Sequence, residues 1–106
     1  MGKPLSLGDL QQLTMWAVAR LGENAFGGAI QDELRRVAGR EVAVGTVYVT
    51  LVRLEDHGLV SSTSTPPDPK RGGRGKRFFE LTPKGWDALH ASKAALISMW
   101  EGVTPA

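Results

Sequence analysis

The residues best able to do chemistry lie between Lys70 and Arg77, where K-R-G-G-R-G-K-R sets five cations among three glycines with no acid. Over the 106 residues, 13 Lys+Arg oppose 11 Asp+Glu, a formal net charge of +2. Without the octapeptide the balance is 8 against 11, so the basic character of the chain is concentrated in this one stretch. A glycine-spaced cluster of guanidinium and ammonium groups is suited to neutralising the phosphates of a polyanion. Runs that read as strands flank it, Val60 to Thr65 before and Arg77 to Leu81 after, which puts the cations at the tip of a hairpin. Pro66, Pro67 and Pro69 at the entrance keep that tip from extending a sheet. A solvated surface turn would account for the stretch taken alone. The helix that precedes it argues for more.

That helix is predicted over about Val44 to His57. Val44, Val47, Leu51 and Leu54 are spaced 3, 4 and 3, a single buried stripe. The opposite face then carries Thr46, Val49, Thr50 and Arg53, with Tyr48 at the border between faces. An ordinary solvated helix would show Glu and Lys there. Small β-branched side chains with one arginine suit a close approach to base edges instead. Threonine hydroxyls hydrogen-bond, valine and threonine methyls meet the thymine methyl, and arginine reaches guanine. The Tyr48 ring can pack while its hydroxyl reaches a phosphate. A helix buried against a second apolar neighbour on the Val49 side would read the same way.

The remaining elements must position these two features. Ser6 is expected to cap a first helix starting near Leu7, with Leu10, Leu13, Ala17 and Leu21 at helical spacing and Gly22 as its stop. Trp16 on its flank is assigned to a subunit interface. Phe26 in the following turn is expected to anchor in the core. A second helix is predicted from Gly28 to Ala38 with Ala29, Ile30, Leu34 and Val37 as its apolar side, and Glu41 to Ala43 as a short strand. In the returning strand only one of Phe78 and Phe79 can face the core, leaving the other to pack under the hairpin. Thr82-Pro83 signals the start of a last helix reaching about Gly102. Its Trp86, Leu89, Lys93, Leu96, Trp100 and Val103 recur at 3, 4, 3, 4 and 3, a heptad seam interrupted by Lys93. A partner helix, hence a two-fold dimer, explains that seam, with Trp16, Trp86, Leu89, Leu96 and Trp100 as the interface.

Several function classes are set aside. Without cysteine there is no disulfide framework, thiol nucleophile or thiolate metal site, and His57 and His90 stand far apart. Gly72-Gly73-Arg74-Gly75 lacks the Gly-Lys-Ser/Thr ending of a nucleotide loop. No acid pair or metal cluster suggests an enzyme, a metal or a cofactor. No run approaches the ~18 apolar residues of a membrane span, and the first nine residues lack a signal-peptide pattern, so a cytoplasmic location is expected. The chain is predicted to be mostly α with a small β-hairpin: a winged helix-turn-helix over residues 1–82 and a C-terminal dimerisation helix over 83–106.

Two segments carry a family resemblance. G-T-V-Y-V-T-L-V-R-L-E-D-H-G-L-V, Gly45 to Val60, resembles the recognition-helix signature of the PadR-like transcriptional regulators. G-G-R-G-K-R-F-F-E-L-T-P-K-G, Gly72 to Gly85, resembles the wing of the same family. The resemblance spans about Leu10 to Leu89 and implies a homodimer that binds double-stranded DNA, usually as a repressor, sometimes relieved by a small molecule. It would send Thr46, Tyr48, Val49, Thr50 and Arg53 to the major groove, and the wing residues Arg71, Arg74, Lys76 and Arg77 to the flanking backbone or minor groove. Two departures stand out. Gly27 is followed by Gly28 where the family commonly has a large residue, and the last helix is short, as in the small subclass. Some small members hold flat aromatic drugs at the dimer centre with a stacked tryptophan. By position Leu96 matches that tryptophan, with Trp100 one turn later, so a small aromatic effector would engage Trp16 and Trp100. The competing expectation is a winged-helix module that binds an acidic protein partner, with Arg35, Arg36, Arg40 and Arg53 as the cations whose placement separates the two.

Overall fold

Hydrophobic spacing and end signals translate into four helices and one hairpin in a computed structural model that describes residues 7–65 and 75–104. The order is α1 (Asp9–Leu21), a 3-10 turn (Gly22–Asn24), α2 (Gly27–Ala38), α3 (Val44–Asp56), β1 (Val60–Ser64), β2 (Arg77–Leu81) and α4 (Pro83–Trp100). The predicted mostly α architecture with a winged hairpin is the one observed. Ser6, expected as the first cap, lies outside the described residues. Gly8 stands at the N-cap of α1 instead, its N–H donating to Gln11 Oε1 at 3.0 Å.

The first three helices enclose one core. Met15, Ala17 and Val18 of α1 meet Ile30 and Leu34 of α2 and Val47, Leu51 and Leu54 of α3, all buried. The hairpin closes the open side. β1 and β2 pair antiparallel with Val60 opposite Leu81 and Ser64 opposite Arg77. Alternation sends Phe79 inward to complete burial and Phe78 outward.

Three local expectations differ from the structure. The short strand predicted at Glu41–Ala43 is absent: this linker is irregular, and the Gln31 side chain holds it by donating to the Val42 carbonyl at 2.8 Å. The hairpin's third partner comes from the first inter-helix turn, where Phe26 bridges Phe78 and the Phe79 N–H donates to the Ala25 carbonyl at 2.8 Å. That pairing also turns Phe26 away from the core. Its ring meets Phe78 edge-on at 5.8 Å, and the small Ala25 takes the buried position. Val37, assigned to the apolar side of α2, is exposed near the helix end.

α4 begins as predicted. Thr82 caps it, its hydroxyl accepting from the Gly85 N–H at 3.0 Å and donating to the Gly58 carbonyl at 2.6 Å. Gly85 is then seated directly on the turn that leaves α3. A Cβ at this position would lie 2.0 Å from the Leu59 carbonyl oxygen, which already accepts from the Thr82 N–H. One turn on, Leu89 is fully buried in the same core. Leu89 is therefore removed from the dimer-interface set, and the packed unit continues past the boundary expected at Thr82. From Lys93 to Thr104 every residue is exposed, so the far half of α4 projects from the body.

Glu33 on α2 is buried between two guanidinium groups, Arg20 Nε at 2.7 Å and Arg36 one turn away. The hydrogen bond from Arg20, then that from Arg36, hold its carboxyl below the usual 4.5. A carboxyl depressed in the folded state contributes stability that is present above its unfolded value and lost as pH falls through the folded one. Wild type is thus expected to lose stability more steeply than Glu33→Gln as pH falls below 4.5, read as urea midpoints against pH. Parallel curves would exclude the contribution. Gly85→Ala is expected to cost roughly 2 kcal/mol or more, because backbone rather than a side chain must yield. Urea denaturation checks this, and an unchanged midpoint would refute the close seating.

Candidate nucleic-acid interface

α3 presents a face bare of other elements. Thr46, Tyr48, Val49 and Arg53 are exposed on it, as expected, together with Gly45, where an added Cβ would meet open space. Thr50 is not: it is 7% exposed, with its hydroxyl donating to the Thr46 carbonyl at 2.8 Å. That bond satisfies the polar atom within the helix, so the threonine methyl packs inward as a valine would. Val44, placed on the core stripe by its spacing, is exposed, and Val52 joins the outer face at the edge opposite Thr50. The buried stripe is turned by roughly 30° from the expected phase, given about 100° per residue. Val52 was missed because apolar residues are assigned inward by default. The signal that finds it is the three leucine and valine positions 47, 51 and 54, whose mean direction points away from 49 and 52.

Tyr48 leans on α2, and Gly27 lets it do so: a Cβ there would fall 2.5 Å from the ring. The departure itself, Gly28, lies away from this contact: a Cβ there would meet the Phe26 ring at 3.5 Å. The phenol edge stays half-exposed beside the outer face.

The wing root joins this helix through a closed set of hydrogen bonds. Arg77 on β2 donates from Nη2 to Glu55 of α3 and from Nε to Ser62 Oγ on β1 at 3.0 Å. Ser62 Oγ in turn donates to Glu55 Oε2 at 2.6 Å. The guanidinium lies 5.2 Å from the Phe79 ring centre. Arg77 thus shares the inward side of the hairpin with Phe79, and its charge is engaged within the molecule. It is withdrawn from the set of phosphate-reaching wing cations. Strand alternation alone places Arg77 beside Phe79, the signal that could have shown it; Glu55 and Ser62 carry no comparable sequence mark.

Lys76 stays exposed at the base of the tip, its Nζ 4.2 Å from the Phe26 ring centre. Thr65 and Lys76 close the hairpin, the Thr65 N–H donating to the Lys76 carbonyl at 2.8 Å. Arg71 and Arg74 lie outside the described residues. The cations expected to flank α3 on a DNA-binding face are largely engaged: Arg35 pairs with Asp32, Arg36 with Glu33 and Arg40 with Asp9. Among the described residues Arg53 makes no ion pair.

The interface candidates divide. Trp16 is half-buried against the core of its own subunit. Trp86, Leu96 and Trp100 are exposed, Trp100 at 68%, with Ile97, Met99 and Val103 beside them. A groove of about 520 Å³ runs between the end of α1, the outer hairpin face and α4, lined by Val18, Phe78, Leu81 and Trp86 among others. Neither Trp16 nor Trp100 lines it. Among the described residues no group of acids and histidines could hold a metal, and no helix is long and apolar enough to cross a membrane.

Three helices around one core, the third laid bare beside a two-stranded wing, make a winged helix-turn-helix, the architecture of a DNA-binding transcription regulator. The family model of the PadR-like transcriptional regulators matches residues 17–91. A transcriptional regulator of Mycobacterium tuberculosis, Rv3488, is 40% identical over 75 residues, covering 70% of this chain and 65% of that protein. A PadR family regulator from Clostridium difficile superposes with a TM-score of 0.74 at 21% identity, over 89% of this chain and 93% of that one. A second, from Eggerthella lenta, gives 0.69 at 25% identity, over 89% and 81%. The chain belongs to the PadR-like family of transcriptional regulators, and it spans a little under two thirds of the length of the curated relative.

If Glu55, Ser62 and Arg77 act as one unit, removing either charged partner forfeits most of what the pair contributes. Glu55→Ala and Arg77→Ala are each expected to cost about 1 kcal/mol or more, and the double variant little beyond either. Additive losses in a denaturation cycle would show the groups to be independent.

Proposed function

We propose that this chain binds duplex DNA sequence-specifically as a homodimer on a palindromic operator and represses transcription there. The observation that carries this reading is the outer face of α3. It is small, largely apolar and free of carboxylates until Asp56, and it adjoins the root of the one strongly basic segment of the chain. In this reading α3 supplies sequence discrimination, while Lys76 and the wing cations Arg71 and Arg74 contribute sequence-independent attraction to phosphate. Thr46, Tyr48, Val49 and Arg53 keep the roles the resemblance implies.

The second copy is assigned to the projecting half of α4. Leu96, Ile97, Met99, Trp100 and Val103 leave more apolar surface in water than a lone subunit has reason to expose. Two such helices packed about a two-fold axis would bury it and set the two α3 helices about one DNA turn apart, ~34 Å. Occupation of an operator by such a dimer blocks other proteins from the same DNA, which is the simplest route to repression. Of the cations expected to flank α3 on a DNA-binding face, Arg35, Arg36 and Arg40 are held in internal ion pairs, which leaves Arg53 and the wing for phosphate.

Selection of bound duplexes from a random pool is expected to recover an inverted repeat. Binding to it should weaken steeply with added salt. Trp100→Glu is expected to yield a monomer in sedimentation with at least tenfold weaker operator binding. A pool without a repeat, or a Trp100→Glu protein that stays dimeric and binds normally, would overturn the respective halves of the proposal.

A further inference from the structure

We infer that α3 reads its half-site chiefly through the 5-methyl groups of thymine, with Val49 and Val52 as the specificity-determining residues. The inference rests on the DNA-binding reading above and names what that surface recognises. At about 100° per residue, the centre of the outward strip is Gly45, Val49 and Val52, flanked by Thr46 and Arg53 on one side and Tyr48 on the other. Val49 is 52% exposed and Val52 41%. Gly45 has open space where a Cβ would stand, so the backbone at the start of α3 can approach the groove floor closely.

The chemistry of that strip is narrow. It carries no asparagine or glutamine, the side chains that pair with both major-groove groups of adenine. Arg53 can serve a guanine, but from the flank. Thr50, which sequence spacing makes a second hydroxyl on this face, is buried with its oxygen already bonded. A valine neither donates nor accepts a hydrogen bond. The one apolar group that distinguishes a natural base pair in the major groove is the thymine methyl. Val49 and Val52 are separated by about 4.5 Å along the helix axis, a little over the ~3.4 Å between base pairs, so they address neighbouring steps.

Deoxyuridine tests this directly. It removes the methyl and leaves the base pairing, the O4 acceptor and the phosphate charge of thymidine in place. The full-length protein would be titrated with its selected operator made once with thymidine and once with deoxyuridine throughout the half-sites. The same pair of duplexes would be offered to a Val49→Ala, Val52→Ala protein, whose substitutions lie on the exposed face. Each contacted methyl is expected to be worth roughly threefold in affinity, hence tenfold or more for both half-sites together. In the double variant that ratio should fall to near one. Equal binding of the two duplexes by wild type would overturn the inference while leaving DNA binding intact. So would a thymidine preference that persists undiminished in the double variant, which would assign it to DNA shape. Failure to recover any preferred duplex would instead remove the DNA-binding reading and this one with it.

Discussion

Everything that places the candidate interface depends on the contact between Gly85 and the Leu59 carbonyl. At this point the exit of α3, the first residue pair of the hairpin and the first turn of α4 share a few atoms. Thr82 spans the junction, donating from its backbone to Leu59 and from its hydroxyl to Gly58, while Lys84 Nζ donates to the His57 carbonyl at 2.9 Å. The last carbonyls of α3 accept from the N–H groups of the exit turn, His57 to Arg53, Leu59 to Leu54 and Gly58 to Glu55, and the carbonyls of that turn are satisfied by the element that follows the wing. Only a residue without a side chain can stand where Gly85 stands. One consequence is that the direction of α4 is set by the exit of α3, so any partner bound to α4 is held at a defined angle to α3.

A second consequence concerns charge. The arginines outside the basic octapeptide are largely consumed in making the scaffold: Arg20 and Arg36 on Glu33, Arg35 on Asp32, Arg40 on Asp9. Within the octapeptide itself, Arg77 is spent on Glu55 and Ser62 to tie the wing to α3. This division separates structure from attraction. Cations engaged with carboxylates fix the positions of helices and strands, and the exposed Lys76 at the base of the tip has phosphate as a natural counter-ion.

Stability and recognition also meet on α3. Its inner side contributes three fully buried residues to the core, and its outer side leaves valines in water that burial elsewhere would reward. Thr50 is what permits both. By bonding its own hydroxyl to Thr46, it joins the inner side without an unsatisfied polar atom and releases the opposite edge for Val52.

The sequence by itself determined the element order, the basic tip, the α4 cap at Thr82-Pro83 and the choice of one phenylalanine for the core. These follow from interactions within a few residues: spacing along one helix, alternation along one strand, a side chain bonding its own backbone. Only the tertiary structure decided the phase of α3, the loss of Leu89 to the core, the outward turn of Phe26 and the capture of Arg77 by Glu55. For Leu89, Phe26 and Arg77 the deciding partner lies far along the chain. Leu89 looks like a seam residue until Gly85 presses its helix onto Leu59. Phe26 looks like a core anchor until Phe78 pairs with it from the wing. A heptad or an amphipathic stripe states that a side chain seeks apolar company, but which company it finds depends on backbone that arrives from elsewhere.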